Sequence, residues 1–303
     1  MQIPVNRLLN QQGSSLVAVF WLIGVLGLSI LGAAKFVALD AQWIKGLKST
    51  SIARNHAATG LAIASHPAIT PADPLLRWLN PAETGGYTAE VSSEEALIPL
   101  NHVLFHGRKE VVRNLFILWG LSPDEASSVV DAMVDWTDEN DLTSLHGAEA
   151  GDYSDRGQDG FPFNRPFQTL EEVEFVMGMR EVKKLKPNWK EYFTLWSVGQ
   201  IDLNEANEEI IAAALSSVDV GRIAEFAIYR NGLDGIRGTL DDQHFTSVSD
   251  VLVFLGTTPR PDLPLLTVRG STRRIVSTGF FNDYSVKISE TRRGNDLLWR
   301  SEY

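Results

Sequence analysis

Cysteine is absent from the 303-residue sequence, which excludes disulfide bonds, thiolate metal sites and cysteine nucleophiles. Basic residues are scarce, because 27 lysines and arginines face 38 aspartates and glutamates, for a formal net charge of −11. The chain therefore lacks the broad basic surface that nucleic acid requires. The nucleophile elbow, the His-Glu zinc spacing and the phosphate-binding loop are missing as well. Together these absences predict a protein that is not an enzyme.

Two further absences mark the N-terminal part of the chain. Residues 14–34 contain no charge, and no proline occurs between Pro4 and Pro67. About 20 uncharged, mostly apolar residues are enough to cross a bilayer as a helix, and without proline nothing interrupts that helix. We therefore predict one long helix over 14–66, with residues 14–34 as its membrane segment.

The residues before this segment are few, and Arg7 is their only charge. Cleavage after Gly13 would leave a chain that begins at Ser14, at the start of the apolar run. This arrangement is similar to the leader of type IV pilins and pseudopilins, which a prepilin peptidase removes, so we expect residues 1–13 to be such a leader. Most pilins have glutamate at the fifth mature position, where this chain has Ala18. A plain membrane anchor is the alternative.

The charges that flank the apolar run conflict with the pilin-like orientation. Arg7 precedes the run, and Lys35, Lys45 and Lys48 follow it. A positive-inside count would place the C-terminal side in the cytoplasm, whereas a pilin-like protein has it in the periplasm. Sequence motifs further along the chain favour the pilin-like orientation. We therefore predict a single-pass protein of the bacterial inner membrane, with its C-terminal domain in the periplasm.

The rest of the chain alternates between strand-like and helical patterns. Residues 275–278 and 284–289 alternate in strand fashion. Helical patterns lie between the strand-like parts, and Ser122-Pro123-Asp124-Glu125 is a strong helix start. These patterns predict an α+β fold. A small antiparallel sheet, formed by residues 67–105 and 259–303, receives an inserted α-helical domain at 106–258.

Residues 135–160, which we call the acidic loop, are glycine-rich and contain one arginine. Their acidic residues are Asp135, Asp138, Glu139, Asp141, Glu149, Asp152, Asp155 and Asp159. Like charges on a tight loop repel one another unless a cation lies among them, and hard oxygen ligands suit calcium. The sequence leaves two interpretations open, a calcium site or a solvated acidic loop.

Three motifs carry a family resemblance. They are Val-Asp-Trp-Thr-Asp at 134–138 with Gly-Ala-Glu at 147–149, Asn-Arg-Pro-Phe-Gln-Thr-Leu-Glu-Glu-Val at 164–173, and Ile-Asp-Leu-Asn-Glu-Ala at 201–206. Combined with the N-terminal segment, these motifs resemble the GspK-type minor pseudopilins of type II secretion systems. That family typically lacks the glutamate that Ala18 replaces here.

The resemblance implies a function, a metal and partners. It implies a structural subunit at the tip of the pseudopilus that starts or caps pseudopilus assembly, with the minor pseudopilins GspI and GspJ as partners. It also implies Ca²⁺ at the acidic loop, with Asp138, Asn140, Asp141, Glu149 and Asp152 as the candidate ligands.

A membrane-anchored DNA-binding protein is the competing hypothesis, because residues 201–256 resemble a helix-hairpin-helix domain. Such domains offer the amides of a glycine-containing hairpin to phosphate, supported by basic residues. Here the hairpin position is Ser216-Ser217-Val218-Asp219, which has no glycine pair and adds a carboxylate. We therefore expect the domain to make protein contacts and to bind no nucleic acid.

Overall fold

The computed structural model describes residues 12–80, 84–259, 263 and 265–303. Its helices are α1 (Gln12–Ala64), α2 (Leu100–Phe105), α3 (Glu110–Leu118), α4 (Pro123–Thr137), α5 (Ala150–Ser154), α6 (Met179–Leu185), α7 (Glu208–Ala214), α8 (Val220–Arg230) and α9 (Val248–Phe254). Its strands are β1 (Arg77–Asn80), β2 (Gly85–Ser93), β3 (Ile98–Pro99), β4 (Phe193–Thr194), β5 (Gln200–Asp202), β6 (Leu265–Thr267), β7 (Thr272–Phe281), β8 (Tyr284–Arg293) and β9 (Asp296–Glu302). The predicted α+β class is confirmed.

Helix α1 is continuous over 53 residues, which corresponds to about 80 Å at 1.5 Å per residue. Large apolar side chains in its first half, such as Trp21 and Leu28, are exposed. Near its C-terminal end one face becomes buried through Ala53, Ala57 and Leu61, which are spaced four residues apart. One half of the helix therefore packs on the rest of the protein, and the apolar half extends away from it.

Five strands form one antiparallel sheet in the order β1-β2-β7-β8-β9. Strand β2 pairs with β7 along its whole length, from Gly85 opposite Phe281 to Ser93 opposite Arg273. These neighbours are separated in sequence by all the helices from α2 to α9. The helical part is therefore inserted in the sheet, as the sequence predicted.

Helix α1 lies directly on the backbone of β7 at Gly279. A Cβ atom at this position would be 2.1 Å from the carbonyl oxygen of Ala53 and 2.1 Å from the backbone nitrogen of Ala57. On the helix side, a Cβ atom on Gly60 would be 2.5 Å from the hydroxyl of Ser277. Small residues on both surfaces thus allow the close approach of helix and sheet.

The inserted helices have a core of their own. Its largest fully buried side chains are Trp136, Trp189, Tyr153, Phe116 and Phe193. This core also contains Ile98 and Leu100, because β3 pairs in parallel with β4 and α2 packs on α4. The helical unit therefore begins near Ile98, upstream of residue 106, the start that the sequence patterns predict.

The insertion leaves the sheet beside the C-terminal end of α1. Arg273, opposite the last residue of β2, donates from its guanidinium to the carbonyl oxygens of His66 (3.2 Å) and Ile69 (2.8 Å), just beyond α1. The helical unit therefore lies at the end of the molecule opposite to the apolar half of α1.

Candidate metal centre

Helix α4 carries the first part of the site. It begins at the predicted capping box, in which the hydroxyl of Ser122 accepts from the amide of Glu125 and the Glu125 carboxylate accepts from the amide of Ser122. Its last turns bury Asp131 and Asp135, which lie one turn apart. The capped helix thus holds two carboxylates at the base of the acidic loop.

The loop folds back over these two carboxylates. The amide of Ser144 donates to both oxygens of Asp135, at 3.1 Å each. Gly147 passes so near that a Cβ atom there would be 1.9 Å from Asp135 Oδ2. Asp131 accepts from the amide of His146 (3.3 Å) and from the ammonium of Lys109 (2.6 Å). Asp135, 0% exposed, has no cationic partner among the described residues, and burial raises its pKa.

Glu149 is a buried carboxylate of the acidic loop whose oxygens are unsatisfied within the described residues. Its side chain is 6% exposed, and neither carboxylate oxygen has a hydrogen-bond donor among the described residues. Burial, followed by the negative charges of Asp135, Asp138 and Asp141, raises the pKa of Glu149 to about 7. The amide of Ala150 lowers this pKa slightly but does not lie in hydrogen-bond geometry. A buried carboxylate in this position is stable only when protonated or paired with a positive charge.

The remaining predicted ligands differ in what their side chains already do. Asp138 accepts from the amide of Asn140 (3.1 Å), and Asn140 is exposed, with its side-chain oxygen accepting from the amide of Leu142 (2.8 Å). Asp152 is also exposed and accepts from the amide of Glu149 (3.0 Å) at the start of α5. All three side chains hold local turns, but Asp138 is half-buried and so stays a candidate beside Glu149, whereas Asn140 and Asp152 are exposed.

Asn164 was not among the predicted ligands, but the structure places it at the loop. Its side-chain nitrogen donates to Asp141 Oδ1 at 2.9 Å. Its side-chain oxygen is buried and lacks a donor within the described parts of the chain. Asn164 opens the Asn-Arg-Pro-Phe motif, and that motif was the one signal in the sequence that could have identified it.

The donor set fits calcium. Within the described residues no three acidic or histidine side chains are already arranged as metal ligands. Even so, the loop offers carboxylate and amide oxygens, the hard ligands that Ca²⁺ prefers. Two of those carboxylate oxygens, both of Glu149, have no hydrogen-bond donor in the part of the chain that the structure describes. The calcium assignment stays a prediction, with Glu149 as its best-supported residue and Asp135 added from the geometry.

Aromatic rings line the site on the side of the helical core. Trp136, next to Asp135, stacks on Phe167 (centroids 6.0 Å apart) and contacts Tyr153 edge-on (5.8 Å). Burial raises the pKa of Tyr153 to about 12, with smaller contributions from the charges of Asp135 and Glu149. The Tyr153 ring therefore lies close to the buried carboxylates, and the Trp136 ring contacts Tyr153.

The predicted membrane segment and cleavage site lie in α1. The stretch Ser15–Ala64 is long and apolar enough to cross a membrane, by length and composition. Gly13 and Ser14 belong to the first turn of α1. Residues 1–11 of the predicted leader lie outside the described residues, so cleavage after Gly13 stays a prediction.

The helix-hairpin-helix-like part uses its charges internally. At the hairpin, the carboxylate of Asp219 accepts from the amide of Gly221 (2.9 Å) and so occupies the start of α8. The guanidinium of Arg230 is buried and donates to the carbonyl oxygens of Leu203 (3.0 Å) and Ala206 (2.6 Å). Arg222 pairs with Glu225. This arrangement disfavours a phosphate contact at the hairpin.

Part of the inserted helical unit is similar to a known protein family. Residues 100–188, which include the acidic loop and Asn164, match the family model described as Type II secretion system (T2SS), protein K. This part of the chain is therefore similar to that family, and the match agrees with the resemblance of the sequence motifs. A search of curated proteins finds no significant match.

The fold of this chain is similar to that of a chain in a solved complex. That structure is the crystal structure of the GspK-GspI-GspJ complex from the enterotoxigenic Escherichia coli type 2 secretion system. The similarity covers 88% of this chain and 99% of the other, with a TM-score of 0.60 and 14% sequence identity. At this identity the likeness concerns the fold.

Proposed function

We propose that this chain is a GspK-type minor pseudopilin at the tip of the type II secretion pseudopilus. In this role it is a non-catalytic subunit that initiates or caps assembly together with GspI and GspJ. The observation that carries the proposal is the position of the inserted helices, which lie at the end opposite to the apolar half of α1. A further subunit stacked above would have to occupy the same space.

The sequence of the membrane segment supports the same position. Ala18, where most pilins have glutamate, is exposed on α1 and offers no carboxylate to the N-terminus of a neighbouring subunit. Gly24, Gly27 and Gly32 have nothing within 4 Å of a would-be Cβ atom. Such small residues allow other helices to approach closely in a membrane or a fibre. The apolar half of α1 is thus suited to side-by-side packing.

The route to the tip begins in the inner membrane. The chain is inserted as a single-pass protein with its globular part in the periplasm. Prepilin peptidase then removes the leader after Gly13, and Ser14 becomes the N-terminus. Helix α1 packs against those of GspI and GspJ, and the inserted helices face away from the membrane.

In this proposal the acidic loop stiffens the inserted helices. Asp135, Asp138, Asp141 and Glu149 would hold a calcium ion, which supplies the positive charge that the buried carboxylates lack. Asp135 already orders the loop through the amide of Ser144. Glu149 would close the loop over α4 and fix the surface that meets a partner.

Co-purification of the full chain with GspI and GspJ in detergent tests the tip assignment. We expect a complex that survives gel filtration at micromolar concentration, and no fibres from the chain alone. Two results would contradict the assignment: no complex with either protein, or ready self-polymerisation. Retention on DNA that weakens with added salt would favour the anchored DNA-binding alternative.

A further inference from the structure

We infer that Asn164, and not Asn140, supplies the amide oxygen of the cation site, and that the bound ion thereby fastens the acidic loop to the segment 161–167. The inference rests on the cation site of the proposed function. It assigns a metal-binding role to a residue that lies just downstream of the acidic loop.

The first observation is the orientation of the Asn164 amide. A carboxylate accepts hydrogen bonds but cannot donate them. The group of Asn164 that faces Asp141, at 2.9 Å, must therefore be its side-chain nitrogen. The side-chain oxygen is consequently on the opposite side of the amide group. That oxygen is buried, and no donor in the described parts of the chain reaches it. A buried acceptor without a partner is unfavourable, and a cation would provide one.

The second observation is that the segment around Asn164 lies against both the acidic loop and the end of α4. The side-chain nitrogen of Asn164 contacts Asp141 of the loop at 2.9 Å. The amide of Arg165 donates to the carbonyl oxygen of Trp136 at 3.2 Å, next to Asp135. The segment is therefore anchored to both the loop and the end of α4.

The third observation is the backbone of Asn164. Its φ angle is +47°, in the left-handed region that non-glycine residues rarely adopt. Asparagine tolerates this region better than most residues, but still at some conformational cost. The neighbouring residues hold the segment in place, since Phe167 exchanges two hydrogen bonds of 2.9 Å with the side chain of Asn101 on α2. Such an outlier, maintained by its surroundings, is typical of a functional position.

Asn140 differs from Asn164 on each of these points. Its side chain is exposed, and its oxygen already accepts from the amide of Leu142 at 2.8 Å. Recruiting it for a cation would break that turn. We therefore expect substitution of Asn164 to weaken calcium binding and substitution of Asn140 to leave it nearly unchanged.

The test compares Asn164→Gly with Asn140→Gly in the full chain in detergent. Glycine accepts the left-handed backbone at 164, so the fold is retained. Calcium affinity is measured by calorimetry, and by terbium luminescence sensitised through Trp136. We expect Asn164→Gly to weaken binding about tenfold or more, and Asn140→Gly to change it by less than about threefold. Asn164→Asp, which restores an oxygen ligand, should recover most of the affinity.

Hydrogen exchange provides the second measurement. In the wild type, calcium should protect residues 138–149 and 161–167 together, whereas in Asn164→Gly it should protect only the former. If calcium affinity and hydrogen-exchange protection are both unchanged in Asn164→Gly, the proposed role of Asn164 is wrong. The partner of its side-chain oxygen would then be a water molecule and not the cation. If the wild type binds neither calcium nor terbium, the cation site of the proposed function itself is wrong. Complex formation with GspI and GspJ is measured in a separate experiment, so that failure of the tip assignment can be distinguished from failure of the cation site.

Discussion

Glu94 and Arg274 form an ion pair where the sheet meets the inserted helices, with Arg274 Nε 2.7 Å from Glu94 Oε1. Glu94 is 0% exposed and directly follows β2, and it also accepts from the hydroxyls of Thr291 in β8 (2.9 Å) and Thr194 in β4. One carboxylate therefore links the two strands that flank the insertion point to the helical unit. Since a buried carboxylate is stable only when its oxygens are satisfied, this link fixes the sheet and the helices relative to each other.

Replacing Glu94 with alanine should weaken the whole fold. The change leaves the Arg274 guanidinium and two hydroxyls without their acceptor, and we expect a loss of about 2–3 kcal/mol of unfolding free energy, somewhat less than for a fully buried pair. The measurement is thermal unfolding of the full chain in detergent. Glu110→Ala, which removes an exposed pair with Arg113, should change stability by less than about 1 kcal/mol. Equal effects of the two variants would refute the linking role of Glu94.

Gly279→Ala tests the contact between α1 and the sheet. The added methyl group would be 2.1 Å from the backbone of both Ala53 and Ala57, so the helix must move away from β7. We expect a loss of about 1–3 kcal/mol or more, measured by thermal unfolding. Gly151→Ala is the control, because nothing lies within 4 Å of its would-be Cβ atom and it sits in α5. If Gly279→Ala is as stable as the wild type, α1 does not pack on β7 as described.

Asp202→Asn should change how stability depends on pH. Burial raises the pKa of Asp202 to about 6, although the amides of Gly270 (2.6 Å) and Asn204 (2.9 Å) donate to it. In the unfolded chain its pKa is near 4. Between pH 4 and 6 the folded protein therefore holds the proton more tightly, and stability falls as the pH rises.

The wild type should consequently lose about 3 kcal/mol relative to Asp202→Asn over this interval, and the difference should be constant above pH 7. The measurement is the difference in unfolding free energy between the two proteins at several pH values. A difference that does not vary with pH would show that Asp202 titrates normally.

Glu149→Gln should have opposite effects with and without calcium. Without calcium, above pH 7, it removes a buried, unpaired negative charge, so the melting temperature should rise. With calcium, the wild type should gain stability and the variant should gain little or none, because a strong ligand is lost. Melting curves in calcium and in chelator check both statements. A wild-type melting temperature that chelator leaves unchanged would indicate a solvated loop.

Several parts of the fold could be predicted because local patterns determine them. The run without charge or proline predicts α1, and the capping box at Ser122 predicts the start of α4. The alternation of residues in strand fashion predicts the hairpin of β7 and β8. Part of the candidate site was also predictable, because the clustered acidic residues identify the acidic loop, including Glu149, in the sequence.

What the sequence did not reveal depends on contacts between distant residues. The register of β2 on β7 joins segments on either side of the insertion. Glu94 and Glu95 are charged residues that became fully buried because their partners arrive from β7 and β8. Asn164 escaped notice because its role depends on a left-handed backbone and on a carboxylate 23 residues upstream. Each of these requires the assembled fold.

We propose that a peptidase processes this chain as a pseudopilin before its helix joins those of its partners. N-terminal sequencing of the natural protein extracted from bacterial membranes tests it most directly. The account predicts a mature chain that begins at Ser14. A protein that still begins at Met1 would contradict it and would identify the apolar helix as an ordinary anchor.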